Sequence, residues 1–397
     1  MVKALFFLFT FVISLFATQN VAVGEMFENS QKCKACHLHI VNDWEESWHA
    51  KSHYKNDEYF RKTIDYVKRK TRKSLNSVKV QCASCHNPRI SVTSTSIDYE
   101  IDVLMGLDDD SEVNKAISSE SIGEGINCVV CHNIDKIHSK ADESVRGINR
   151  VEWTKSGVMS GPYDDASSPY HKVEHRDFMD TKPDQLCFVC HANDKAVNGF
   201  VFTDMKSEYK KGKKSCVDCH MGARELGVAA TLRDAQGKRK TRKVRAHRFE
   251  GAHTSNMWVD ALGLSLSQEK KDLMIMITNP QPHNIPSGFG SRELLVEVAF
   301  KSNNKTTKTK TISLTRHYTS KRNKPTIPHL AVSSSKDMSI AAGGKKVLKM
   351  PLENSSDSVE VNIYYRLVND EIHALLKLEE GIWSKRNFIV KDTIKLK

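Results

Sequence analysis

Residues 125–138 read GINCVVCHNIDKIH, and the stretch at their centre, Cys128-Val129-Val130-Cys131-His132, decides what this chain is built around. The same spacing recurs as CKACH at 33–37, CASCH at 82–86, CFVCH at 187–191 and CVDCH at 216–220. These five pairs consume all ten Cys, so none remains for a disulfide. His fills 17 of 397 positions. Five accidental His after the second Cys have a probability on the order of 10⁻⁷, which identifies the c-type haem signature. Half a zinc site or a redox dithiol uses the paired Cys but does not require that His. Two thiols separated by two residues add to the two vinyl groups of one haem, and the adjacent His is held beneath the iron. The expected cofactor is therefore haem c, five copies covalently attached. Its anchors are Cys33, Cys36, Cys82, Cys85, Cys128, Cys131, Cys187, Cys190, Cys216 and Cys219. The proximal iron ligands are His37, His86, His132, His191 and His220.

The bulk composition agrees with a cofactor-filled interior. Only 39% of residues are hydrophobic and 8% aromatic, lean for a chain of this length. Lys3 followed by the apolar run ALFFLFTFVISLFA (4–17) and the small residues Ala22-Val23-Gly24 reads as a signal peptide over 1–24, cleaved before Glu25. The run is shorter than the roughly 20 residues of a membrane span. No stable membrane insertion is expected after cleavage, and no Cys at the cleavage position offers a lipid anchor. The formal charge of +12 falls to +11 without Lys3. Ten haem propionates then bring it to about +1, so the basic excess gives little reason to expect a nucleic-acid partner.

Twelve other His remain, and nine lie before residue 290. Iron with His on both faces is suited to electron transfer, whereas a vacant position binds a small substrate. His49 and His53 lie one helical turn apart, as do His171 and His175. His138 follows the third motif by six residues, His247 and His253 follow the fifth motif, and His283 sits in a Pro- and Gly-rich turn. His39 is too near its own proximal His37, and His317, His329 and His373 read as structural. The residues alone leave the choice among the others open.

Several of these segments resemble the multihaem cytochromes related to tetrahaem cytochrome c-554, with hydroxylamine oxidoreductase and octahaem tetrathionate reductase as distant relatives. Trp44-Glu45-Glu46-Ser47-Trp48-His49 is similar to that family's W-x-x-S-x-H, and GINCVVCHNIDKIH to its G-[IV]-x-C-x-x-C-H with a following His. GPYDDASSPYH resembles the segment before its fourth motif, Arg245–Gly251 its R-x-H-x-F-x-G, and His283–Gly288 its H-x-x-P-[TS]-G. The resemblance spans about residues 30–300 and implies five distal iron ligands: His49, His138, His171, His247 and His283. His53, His175 and His253 are reserves. A fifth haem and a C-terminal extension depart from the tetrahaem pattern, so the pairing of distal His with haems is not transferred.

The expected fold is a mainly irregular and α-helical pentahaem cytochrome c domain over 25–261, followed by an all-β, sandwich-like domain over 262–397. Short helices are expected around Asn42–Lys70 and before each motif. Strands are expected at Asp272–Thr278, Arg292–Phe300, Thr309–Tyr318, Lys345–Leu352, Val359–Val368 and Asn387–Leu396. Basic runs at 61–79 and 237–248 read as solvated faces, with docking of an acidic redox partner as the alternative, and LDDDSE (107–112) as an exposed acidic turn.

The expected function is electron transfer by a periplasmic, non-catalytic carrier with bis-His haems in an anaerobic or nitrogen- or sulfur-linked respiratory chain. Its partners would be a quinol-linked donor or a terminal reductase. One alternative is a reductase of a small nitrogen or sulfur species at one open haem, although no Cys-x-x-Cys-Lys marks a special site. The other is a subunit of an extracellular haem filament.

Overall fold

The computed structural model describes residues 29–86, 88–139, 147–154, 157–210, 212, 214–233, 236–259 and 261–397. The expected leader and its cleavage position lie outside them. Ten short helices carry the first part: α1 (Ser30–Lys34), α2 (Leu38–Glu46), α3 (Glu58–Thr71), α4 (Leu75–His86), α5 (Ile97–Met105), α6 (Glu112–Ser118), α7 (Cys128–His132), α8 (Asp184–Cys187), α9 (Met205–Glu208) and α10 (Cys216–His220). The expected helical region at 42–70 is two helices. Ser47 is extended at the end of α2, and Asp57 starts α3 by accepting the Phe60 N–H. One face of α3 buries Tyr59, Phe60, Thr63, Ile64, Tyr66 and Val67, while Lys68, Arg69 and Lys70 occupy its last turn. Part of the basic run at 61–79 therefore complements a helix C-terminus.

Four small strand pairs absent from the sequence-based expectation close the loops, three between motifs and one after the fifth. They are β1 (Ile134–Ile137) with β2 (Val151–Trp153), β3 (Val158–Gly161) with β4 (Lys172–His175), β5 (Asp194–Lys195) with β6 (Val201–Thr203), and β7 (Glu225–Arg233) with β8 (Arg239–Val244). The β3–β4 pair is parallel.

The chain then becomes β-rich: β9 (Gly263–Glu269), β10 (Asp272–Thr278), β11 (Glu293–Ser302), β12 (Lys305–Leu314), β13 (Tyr318–Thr319), β14 (Ser333–Ser334), β15 (Lys345–Pro351), β16 (Ser358–Arg366), a single helix α11 (Asp370–Leu376), and β17 (Asn387–Lys395). Two antiparallel sheets form, ordered β15-β10-β9 and β12-β11-β16-β17, beside a small β13–β14 pair. Period-2 patterning puts Leu273, Ile275 and Ile277 of one sheet and Leu294, Val296, Val298, Val359, Val361 and Ile363 of the other into one core. That core continues into Tyr59, Phe60, Ile64, Val67 and Val78, so the β-rich part packs directly against α3 and α4. β12 starts four residues before its expected position because Asn303 and Asn304 both take positive φ and make a tight hairpin turn. At the base of the four-stranded sheet, Arg366 is buried against Glu293, with Nε to Oε2 at 2.7 Å.

Candidate haem-binding site

Each motif begins or lies in a helical turn, which places its two Cys and its His on adjoining faces. At the first motif, Cys36 N–H and His37 N–H both donate to Cys33 O, at 3.1 and 2.8 Å. α4 ends on Cys82-Ala83-Ser84-Cys85-His86, α7 and α10 are themselves motifs, and α8 ends at Cys187. All ten Cys and all five motif His line one continuous cavity of about 1710 Å³.

Four of the motif His face a second His across this cavity. The ring centroids of His37 and His171, His49 and His191, His132 and His247, and His220 and His283 are each 6.3 Å apart. A ring centre stands about 1.1 Å from its own nitrogen, and a metal–imidazole bond is about 2.1 Å. One iron between two imidazoles thus requires about 6.4 Å between centroids, and the residues fit bis-His haem at four positions.

The rings are also fixed in the tautomer that ligation needs. Nδ1 of His37 donates to Ala229 O at 2.7 Å, that of His132 to Ser160 O at 2.8 Å, and that of His220 to Glu250 O at 2.5 Å. On the facing side, His247 Nδ1 bonds to Arg245 O at 3.1 Å and His283 Nδ1 to Asn284 O at 2.8 Å. Nε2 is then left as the lone-pair donor. Burial favours the neutral form of six of the eight paired rings. It lowers His49 to about 3 and His191 and His247 to about 4, and it moves His132, His171 and His283 in the same direction.

The second motif differs. His86 is also lowered to about 4 by burial, and its Nδ1 lies 3.0 Å from Ser52 Oγ. Phe60 stacks on its ring at 4.1 Å. Among the described residues, no His ring stands opposite it at ligand spacing.

The expected distal ligand His138 is not brought opposite any motif His. It follows β1, and its Nε2, the nitrogen a ligand would offer, lies 2.7 Å from Glu152 Oε1. It is absent from the cavity lining, in contrast to His49, His171, His247 and His283. Six residues of mostly extended chain carry it away from the third motif. Of the reserves, His253 lines the cavity but is stacked on Trp48 at 3.7 Å. His53 is buried and receives the Lys55 N–H at 3.3 Å, and His175 ends β4.

The motifs are neighbours in a defined order. The thiols of Cys33 and Cys128 lie within electrostatic reach of each other, as do Cys85 and Cys190, and Cys187 and Cys216. Cys131 also lies within electrostatic reach of Cys187. The first motif therefore adjoins the third, the third adjoins the fourth, and the fourth adjoins both the second and the fifth. The sequence carried no signal for this order, nor for the carbonyls of Ala229, Ser160 and Glu250, which any residue type could supply. Phe249, which packs on His49 at 4.4 Å, was visible only as a letter in a motif.

Residues 66–231 match a family model described as outer membrane cytochrome MtrC/MtrF-like, domains II/IV. A penta-haem cytochrome c552 from Thermochromatium tepidum has a similar fold, with TM-score 0.68 and 17% identity over 93% of this chain and 98% of that one. A search of curated proteins gave no match. Among the described residues, no helix is long and apolar enough to cross a membrane.

Proposed function

We propose that this multihaem c-type cytochrome passes electrons along five haem c groups held by its five motifs, and that four of those groups are closed by a second His. The observation carrying this reading is the set of four His pairs at a common 6.3 Å. When bound, the haems supply reversible one-electron chemistry. The chain's own residues hold the axial rings, fix their tautomers through backbone carbonyls and exclude water from them, which limits reorganisation when charge changes. The proximity of the motif thiols supports an order first–third–fourth, branching to the second and the fifth.

The reading extends to an exported protein, periplasmic or extracellular, serving an anaerobic or nitrogen- or sulfur-linked respiratory chain between a quinol-linked donor and a terminal reductase. It divides the chain into a cytochrome unit over 25–261 and a β unit over 262–397. The β unit contributes His283 and backs the helix of the second motif. Spectroelectrochemical titration tests the carrier reading: five reversible electron equivalents per chain are expected, and a smaller number overturns it.

A second reading has its own support. Because His86 lacks a facing His, the second position is the place for a small nitrogen or sulfur species to bind and be reduced. Steady-state reduction of nitrite, hydroxylamine or tetrathionate by the pre-reduced holoprotein supports it. Absence of turnover with all three removes it.

A further inference from the structure

The sequence from Ile90 to Asn114 contains seven acidic residues (Asp98, Glu100, Asp102, Asp108, Asp109, Asp110 and Glu112) and no Lys or Arg, in a chain whose net charge is +12. α5 lies in this segment and is well built. Ser96 Oγ accepts the Tyr99 N–H at 3.1 Å, and Gly106 closes the helix with φ +69°. Its inner face is anchored by Tyr99, packed with Val80 and Ala83 of α4, the helix that bears the second motif.

Its outer face has the opposite of the expected chemistry. Ile97 is 79% exposed, Leu104 86%, Met105 66% and Leu107 65%, with Ile101 between them at 47%. Ile97, Ile101, Leu104 and Met105 recur at helical spacing and make one apolar stripe. Asp98, Asp102, Asp109, Asp110 and Glu112 are exposed around it. A stripe of this kind is a marked departure from an ordinary solvated helix face.

We propose that this face of α5 docks a redox protein whose own contact surface is apolar at its centre and ringed by Lys. The inference rests on the carrier reading, since a carrier must meet its partners through surface. Charge complementarity selects the occupant. Lys115 pairs with Glu112 at 3.4 Å, but the rim as a whole is acidic, so it attracts a basic face and repels an anionic lipid surface. The combination suits a transient electron-transfer contact, in which the charges steer encounter and a small apolar centre stays quick to release. The position of α5 against α4 places the contact on the outer side of the second motif.

The test uses the five-haem holoprotein and a Lys-ringed monohaem cytochrome c as the probe. Binding is read by titration calorimetry, and electron transfer by stopped-flow at low and high salt. The expected wild-type result is micromolar binding that weakens at least about tenfold between 20 and 200 mM salt. Leu104→Ser/Leu107→Ser and Asp109→Lys/Asp110→Lys should each weaken binding and slow transfer about tenfold. The charge-matched control Glu269→Lys/Glu380→Lys, on exposed β-unit and C-terminal positions, should behave as wild type. An unchanged haem count and absorption spectrum separate a docking effect from misfolding. If the α5 variants bind as wild type does, the docking surface is wrong while the carrier reading stands. If wild type transfers no electrons to the probe, the carrier reading falls with it. A dimer of the chain that the α5 variants dissolve also overturns the proposal, because a second copy is then the occupant.

Discussion

His220, at the end of α10, and His283, in the turn before β11, face each other with ring centroids 6.3 Å apart and planes inclined by 25°. One belongs to the last Cys motif and the other to the β-rich part, so an iron held between them would tie the two parts of the chain together. His283→Ala is expected to retain all five haems, because attachment depends on the thioethers, but to convert the fifth position from low-spin to high-spin. Electronic spectra and carbon monoxide titration of the reduced protein read this as one additional binding equivalent. An unchanged equivalent would mean that His283 is not a ligand.

His138 gives the opposite expectation. Its Nε2 is held by Glu152, so His138→Ala should leave every low-spin absorption band and the carbon monoxide stoichiometry unchanged. A new high-spin signal would restore it as a ligand and require a rearranged loop.

The buried Arg366–Glu293 pair concerns stability alone. Glu293→Ala leaves the guanidinium at 8% side-chain exposure with only Asp370 for compensation. Removing one member of such a pair costs about 3–5 kcal/mol. The variant should unfold at a lower temperature with its haem spectrum intact below the transition. A loss under about 1 kcal/mol would show that Asp370 alone satisfies Arg366.

Asp57 caps α3 with its carboxylate, and burial raises it to about 6. A folded-state pKa above the unfolded one means that the native state binds the proton more tightly. Stability is therefore highest below the unfolded value and declines as pH rises towards about 6. Asp57→Asn keeps a capping oxygen but does not titrate. Denaturation of both proteins at several pH values should show wild type losing ground to the variant between about pH 4 and 6 and holding level above. A constant difference across that range would remove the burial effect.

The five motifs were legible because the c-type signature is written locally, in five residues. Alternation is a local pattern, and it found β10 at Asp272–Thr278 as expected but missed β9 and the short β13 and β14. The loops between and after the motifs were not legible. β8 is polar and basic, and β7 is half-buried and apolar at its centre without a strict alternation to signal it. The facing His pairs lie up to 142 residues apart, as with His49 and His191, and only three-dimensional closure joins them. His138 shows the limit of a motif read alone: a His at a familiar offset was present, but the strand and Glu152 turn it elsewhere.

The central claim is that five haems are attached, with four closed by paired His and one not. Carbon monoxide titration of the dithionite-reduced holoprotein, normalised to a pyridine haemochrome count and matched with EPR of the oxidised form, tests it most directly. The account predicts five haems per chain, four low-spin ferric signals and one carbon monoxide bound per chain, at the second position. Five low-spin haems that bind no carbon monoxide, or fewer than five haems, would contradict it.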